Sequence, residues 1–507
     1  MLLRGKQAYL KPLFVGCFLL PRLASTPLAF LRSMSPASKH LRNESRILSP
    51  PTTHKYGKCL PNKSGRDIVS ERSKLQEGWQ WKIYTPILSC TLIPTDSSSI
   101  RSRFEDGTDK YSRACNQACH EEGPRLSEAS TRQVVLSTFP ARPFEPLPWV
   151  TNEHWQTIWG ARVIQDTMLK KFASESLPKG WQDVYDRRER WDTPDGDFFH
   201  VDFLFSHVPP SGPPSQPRPM AIVLHGLEST SWAILPRSMA KAFARRGFDV
   251  LALNFRGCCG TENLKAYSYH LGFTDDLKFA IQRLFAEEPR RRIYLTGFSL
   301  GGNVILKCLG ELGEEAASMG VQGAAVACVP FDAVRSSSKI DTGFNRWVYA
   351  ANFLSTLKVK AAKKYETHQR HREGKGVDKE LYDLDRVLAC STIGDFDDEV
   401  VAKLHNFEDK IDYYRQSCSK QYLPLVRIPA LVINARDDPF INEAGLPTPE
   451  DVGDGTVRLI YHSYGGHCGF LTGQEKTSHD DERWLPTELA RFLEHVDRPF
   501  REAKCES

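Results

Sequence analysis

The chain has 507 residues, 40% hydrophobic and 25% charged, the balance of a soluble globular protein with room for one large domain plus extensions. Its 67 basic and 62 acidic residues leave a formal charge of only +5, too even for the basic footprint of a nucleic-acid-binding protein. Thirteen scattered cysteines, an odd number, exclude the dense disulfide framework of a small secreted domain and fit reduced thiols.

From Met1 to Asn43 there is no Asp or Glu, while Arg4, Lys6, Lys11, Arg22, Arg32, Lys39 and Arg42 are basic among serines and small residues. That is the composition of a transit peptide for a plastid or mitochondrion. The apolar run Pro12 to Leu20 is too short for a bilayer span, which needs about 20 residues. It also suits a signal-peptide core or a weak membrane anchor. Residues 1–137 as a whole are polar and rich in Ser, Arg and Pro, and read as a targeting or disordered extension. Trp79, Trp81 and Tyr84 are a local apolar exception within it. Cys115, Cys119 and His120 have no second ligand pair at zinc-site spacing, so no metal is expected there.

Residues 138–497 read as the folded domain. PFEPLPWVTNEHWQTIWG (143–160) is Pro-rich and aromatic, and is expected to lie as an extended strap across a core. RERWDTPDGDFFHVDF (188–203) holds two strand-like runs around Asp195-Gly196, a hairpin signal. VPPSGPPSQPRP (208–219) can only be a surface loop. The pattern then changes. MAIVLHG, FDVLALNFRG, RRIYLTGFS, GAAVACVP, IPALVINA and TVRLIYHS are continuous apolar runs, as for strands buried on both faces. Helices are expected over Ser231–Arg246, over Asp275–Glu288 with Thr274 as N-cap, from Gly301, and over LPTELARFLEHV. Such alternation gives a mostly parallel sheet with helices on both faces. The alternation stops over residues 331–427, a helix-rich insertion carrying Phe344, Trp347, Tyr349 and Phe353. An insertion between two core strands there is placed to cap their C-terminal ends. The charged run HQRHREGKGVDKE within it reads as a solvated loop, and residues 498–507 as a tail.

The chemistry is concentrated in GFSLG, residues 297–301, which matches G-x-S-x-G between an apolar strand and a helix. On that strained turn Ser299 is the candidate nucleophile, and the two glycines let strand and helix approach closely. A serine hydroxyl needs a base to take its proton. His467 in YGGHCGF, after the last strand, occupies the position for it; His462 lies inside the strand and reads as structural. IPALVINARDDPF supplies two candidate acids between serine and histidine, Asp437 and Asp438. Asp438, followed by Pro439, Phe440 and Ile441, is favoured. Its role is to fix the imidazole tautomer and stabilise the imidazolium. The backbone N–H groups of Leu300 and of Leu227, in HGLEST, are the candidate oxyanion donors. His270 and Asp275 fit H-x-x-x-x-D, and Asn303 follows the elbow; both read as packing features.

PWVTNEHWQTIWG, HGLESTS, NFRGCCG, YHLGFTDD, GFSLGGN, DYYRQSCS, NARDDPF and YGGHCGF, in that order, resemble the YheT-like α/β-hydrolases of the AB hydrolase 4 family, from about Phe139 to Val496. The strap motif, usually H-L-Q-T in that family, here reads His154-Trp155-Gln156-Thr157. The resemblance implies a Ser–Asp–His triad carried onto Ser299, Asp438 and His467, and carboxylesterase, monoacylglycerol lipase or phospholipase activity. The expectation is an esterase acting on short-chain esters or monoacylglycerol-like lipids through an acyl-enzyme, without cofactor or nucleic acid. The competing readings are an acyltransferase with the same triad and a non-catalytic receptor using the same cavity.

Overall fold

The computed structural model describes residues 128–160, 184–210, 216–373, 381–453, 455–473 and 483–502. The transit-peptide, anchor and Cys115/Cys119/His120 readings lie outside them. Among the described residues no helix is long and apolar enough to cross a membrane.

Eight strands form one sheet in the order β1-β2-β4-β3-β5-β6-β7-β8. They are β1 Arg187–Asp192, β2 Phe198–Leu204, β3 Met220–Leu224, β4 Asp249–Asn254, β5 Ile293–Phe298, β6 Val321–Ala327, β7 Ala430–Ala435 and β8 Val457–His462. β1 and β2 form the expected hairpin, turning at Gly196 with φ +79°, and β2 runs antiparallel to β4. All other pairings are parallel. Every residue of β3, β5 and β7 is buried, the consequence of covering a parallel sheet on both faces. Each large apolar side chain so removed from water, such as Ile222, Leu251 or Ile433, contributes roughly 1.5–3 kcal/mol before conformational entropy is counted.

The helices that frame the sheet are α1 Glu128–Thr138, α2 Glu153–Ile158, α3 Ile234–Ala244, α4 Asp275–Glu287 and α5 Leu300–Leu312. Between β6 and β7 come α6 Ala333–Ile340, α7 Ala351–Glu373, α8 Leu384–Ala389 and α9 Lys410–Ser417, and α10 Trp484–Glu502 closes the chain. α10 packs on α3 and β6, and α5 on β5 beside α4. Leu136 and Phe139 already belong to the main core, with Phe139 edge-on to Phe492 of α10.

The structure departs from the sequence reading in four places. The strap is not wholly extended: Asn152 accepts from the N–H groups of His154 and Trp155 and so starts α2. Helix α3 begins three residues late: Ser231 lies in a turn closed by the Ala233 N–H on Thr230 O, with its own N–H donating to Asn254 Oδ1 and its hydroxyl to Asp202 Oδ2. Thr274 precedes α4 without capping it; its hydroxyl donates to Glu311 at 2.6 Å, and Asp275 and Asp276 meet the helix dipole instead. The start of the charged run belongs to α7, which continues to Glu373, while 374–380 lie outside the described residues.

Candidate active site

The turn from β5 into α5 places Ser299 at φ 55°, ψ −127°, with its N–H bonded to Ala327 O at 2.8 Å. Only glycine fits beside it. A Cβ at Gly301 would lie 2.5 Å from His225 O and 2.6 Å from Leu224 O, and one at Gly297 2.9 Å from Leu224 O. The close crossing of β3, β5 and α5 is what raises residue 299 above the sheet.

At the C-terminal end of β7, Asp438 is wholly buried. Its Oδ1 accepts the N–H groups of Phe440 at 2.8 Å and Ile441 at 3.2 Å. Its Oδ2 lies 2.8 Å from His467 Nδ1. Asp437 does not face the imidazole; its Oδ1 accepts the Gly466 N–H at 2.9 Å, and burial pushes its carboxyl up to about 6. Of the two acids, then, Asp438 meets the histidine and Asp437 holds the loop that carries it. Burial pulls the His467 imidazole down, but the Asp438 carboxylate and Cys468 outweigh it and raise it above the ordinary range. Phe440 stacks on the ring at 4.2 Å.

Ser299, His467, Leu227 and Leu300 all border one cavity of about 200 Å³. Among the described residues no hydrogen bond joins the Ser299 hydroxyl to the imidazole; such bonds are often long in empty sites and tighten around substrate. Helices between β6 and β7 supply the opposite wall with Ile340, Phe353, Leu357, Phe396, Val400 and Leu404. Polar groups interrupt this lining, among them Lys360, which pairs with Glu228 at 2.8 Å, Lys364, Ser336, Ser337 and His405, and Asp397, which accepts from the Tyr414 hydroxyl at 2.7 Å.

His462 packs among Phe144, Phe470 and Trp484, as a structural residue would. His270 sits in an aromatic cluster with His405, Phe407 and Tyr413, and burial drives it toward the neutral form. Asn303 is buried and fully used: it donates to Leu271 O and Ser417 O and accepts from Ser419 N, tying the elbow helix to the returning insertion. Two features escape the sequence reading. Thr157 of the strap accepts the His467 N–H, and Cys328 joins Cys468 beside the imidazole. No local signal in either segment names its distant partner.

A family model described as the alpha/beta hydrolase fold matches residues 221–474. YheT of Escherichia coli, which carries an esterase name, is 32% identical over 308 residues, covering 60% of this chain and 84% of that protein. Phospholipase ABHD3 of Mus musculus is 27% identical over 326 residues, 64% of this chain and 75% of its own. The monoacylglycerol lipase of Saccharomyces cerevisiae is 26% identical over 289 residues, 54% of this chain and 59% of its own.

Proposed function

The chain belongs to the alpha/beta hydrolase family and is a hydrolase of the esterase and lipase type, and from that premise we propose that it cleaves carboxylic esters with Ser299, His467 and Asp438. The observation that carries the proposal is the 2.8 Å contact of His467 Nδ1 with buried Asp438, in a ring that borders the same cavity as the elbow serine. Asp438 holds Nδ1 protonated, so Nε2 is the nitrogen left to accept a proton. Ser299 Oγ attacks the ester carbonyl as its proton passes to Nε2. The carbonyl π electrons move onto oxygen, which the N–H groups of Leu227 and Leu300 receive; one such donor is worth roughly 2.7–4 kcal/mol in a comparable hydrolase. The imidazolium then returns the proton to the leaving alkoxide, which departs as the alcohol. Water, activated by the same Nε2, releases the acid and restores the serine.

The cavity supports an acyl substrate. Its aliphatic and aromatic walls fit an acyl chain, and about 200 Å³ restricts how much chain is enclosed. Short-chain esters and monoacylglycerol-like lipids are therefore the proposed substrates. The names of the yeast and mouse relatives, a monoacylglycerol lipase and a phospholipase, point the same way.

The test is a comparison of the wild type with Ser299→Ala on p-nitrophenyl esters of increasing acyl length, with a fluorophosphonate probe alongside. Turnover and labelling should both vanish in the variant while its thermal unfolding is kept. Ester turnover that survives the substitution removes the reading. An added alcohol acceptor that diverts the acyl group from water would assign transfer rather than hydrolysis.

A further inference from the structure

Cys328 and Cys468 come from distant parts of the chain and meet beside His467. Cys328 directly follows β6 and is wholly buried; Cys468 is partly exposed. The Cys468 N–H donates to Cys328 Sγ at 3.2 Å. Both sulfurs and a ring nitrogen of His467 lie within 4.8 Å of one another. Both cysteines hold positive φ, 53° and 63°, a conformation that side-chain-bearing residues keep only where the surroundings impose it.

The pair also differs in reactivity from its neighbours. Burial pushes the thiols of Cys258, Cys308 and Cys418 up to about 12, as for inert structural cysteines. Cys468 is pushed up by burial too, but the hydrogen bond with Cys328 and the neighbouring His467 ring outweigh it and lower it below the ordinary thiol range. Cys328 is driven well up by burial and stays a protonated thiol. A thiolate with a neutral thiol against it is the arrangement in which oxidation is followed by resolution to a disulfide.

We propose that Cys468 is a hydroperoxide-reactive thiol and Cys328 its resolving partner, so that oxidation ties the histidine loop to the end of β6 and stops turnover. The Cys468 thiolate attacks one oxygen of hydrogen peroxide. The O–O bond breaks, sulfur is oxidised to the sulfenic acid, and the departing hydroxide takes a proton to become water. Cys328 sulfur then attacks the sulfenic sulfur; the S–O bond breaks, and the hydroxyl leaves with the thiol proton as a second water. Two electrons pass from the thiols to the peroxide, and a dithiol reductant reverses the change. A catalytic group tolerates displacement of only about 0.5 Å. A new covalent bond on residue 468 acts directly on residue 467.

The effect on turnover rests on the proposed hydrolase function; the cross-link itself does not. The experiment treats the reduced full-length chain with hydrogen peroxide. Non-reducing digestion with mass spectrometry detects the cross-link, and p-nitrophenyl ester hydrolysis is measured before and after dithiothreitol. The Cys328–Cys468 peptide should appear in step with loss of most turnover, and both should reverse. In Cys328→Ser, dimedone should trap the sulfenic acid at Cys468 with no cross-link. In Cys468→Ser, the peroxide dose should remove none of that variant's own starting activity. Absence of the cross-linked peptide in the wild type, or equal peroxide sensitivity in Cys468→Ser, overturns the proposal. A cross-link that forms in a chain without ester turnover instead overturns the hydrolase reading.

Discussion

The Thr157 hydroxyl accepts the backbone N–H of His467 at 2.8 Å, across 310 positions of chain. Thr157 is oriented for this because its own O–H donates to Glu153 O at 2.8 Å. Its neighbour Gln156 fixes the strap by donating to Val150 O at 2.6 Å and accepting from Leu471 N at 2.7 Å. The loop is so close that a Cβ at Gly469 would lie 2.2 Å from Gln156 O. The strap therefore does more than cover the core: it sets the height of the imidazole above the sheet.

Thr157→Val tests this role, because valine keeps the shape and removes the acceptor. An unsatisfied buried N–H costs about 1–3 kcal/mol. If that cost falls on the position of the ring, kcat should drop about tenfold to a hundredfold, at about 1.4 kcal/mol per factor of ten. KM should change little, since Thr157 does not border the cavity. Steady-state kinetics with a parallel melting curve checks it. A variant with lower Tm and full kcat would reduce the strap to a packing element.

Asp438→Asn and Asp437→Asn should behave very differently despite their adjacency. An amide at 438 can present its NH₂ group to Nδ1 and stabilise the wrong tautomer; the equivalent change in a serine protease lowers kcat roughly 10⁴-fold. At 437 the amide oxygen still accepts the Gly466 N–H, so the loss should stay below about tenfold. Measuring kcat for both variants decides the assignment. The opposite ranking would transfer the orienting role to Asp437.

The strands were readable because β3, β5 and β7 are uninterrupted apolar runs, and apolarity on both faces belongs to a parallel sheet. Ser299, Asp438 and His467 could be proposed from the sequence because each follows a readable strand, in the serine–acid–histidine chain order expected of this fold. The strap helix was obscured by the prolines before it, although Asn152 ahead of an acidic residue is a cap signal. The Thr157–His467 and Cys328–Cys468 contacts were not readable, because nothing local in either segment encodes a partner 310 or 140 residues away. The role of Asp437 was hidden for another reason: two adjacent carboxylates look alike until the backbone turns them to different partners.

Gly301→Ala should destabilise the fold although it adds one methyl group. That methyl would meet two backbone carbonyl oxygens, at 2.5 and 2.6 Å, and neither can rotate away. Overpacking of this kind costs about 1–3 kcal/mol, and more where only backbone can move. Gly196→Ala is the control: its φ is +79° but the space beside it is open. It should pay only the left-handed backbone cost of about 1–2 kcal/mol. Chemical denaturation of both variants, with ester turnover recorded, checks the contrast. Turnover should fall only for the elbow glycine. Equal stability and full turnover in Gly301→Ala would mean that β3 and α5 separate more easily than their contact implies.

The pH dependence of substrate binding should originate in the cavity wall at Asp397. This carboxyl borders the cavity and accepts from the Tyr414 hydroxyl at 2.7 Å. Burial pushes it up to about 7, against the Tyr414 bond that lowers it, and Asp341 adds to the rise. Its reference value is 3.8, so the folded chain binds more protons than the unfolded chain between about 3.8 and about 7. For a raised acid the sign is negative: stability falls as pH climbs through that window and levels off above it. The same ionisation puts a charge among Ile340, Phe396 and Val400, where an acyl chain is proposed to lie. KM for a medium-length ester should therefore rise between about pH 6 and about pH 8, with a smaller change for an acetate ester that does not reach the wall. Asp397→Asn keeps a polar group of the same size without the charge. Its KM should stay near the low-pH value throughout, and its stability should lose the downward slope. A wild-type KM that is flat over this range, or a variant that keeps the same rise, would show that the acyl chain does not approach this wall.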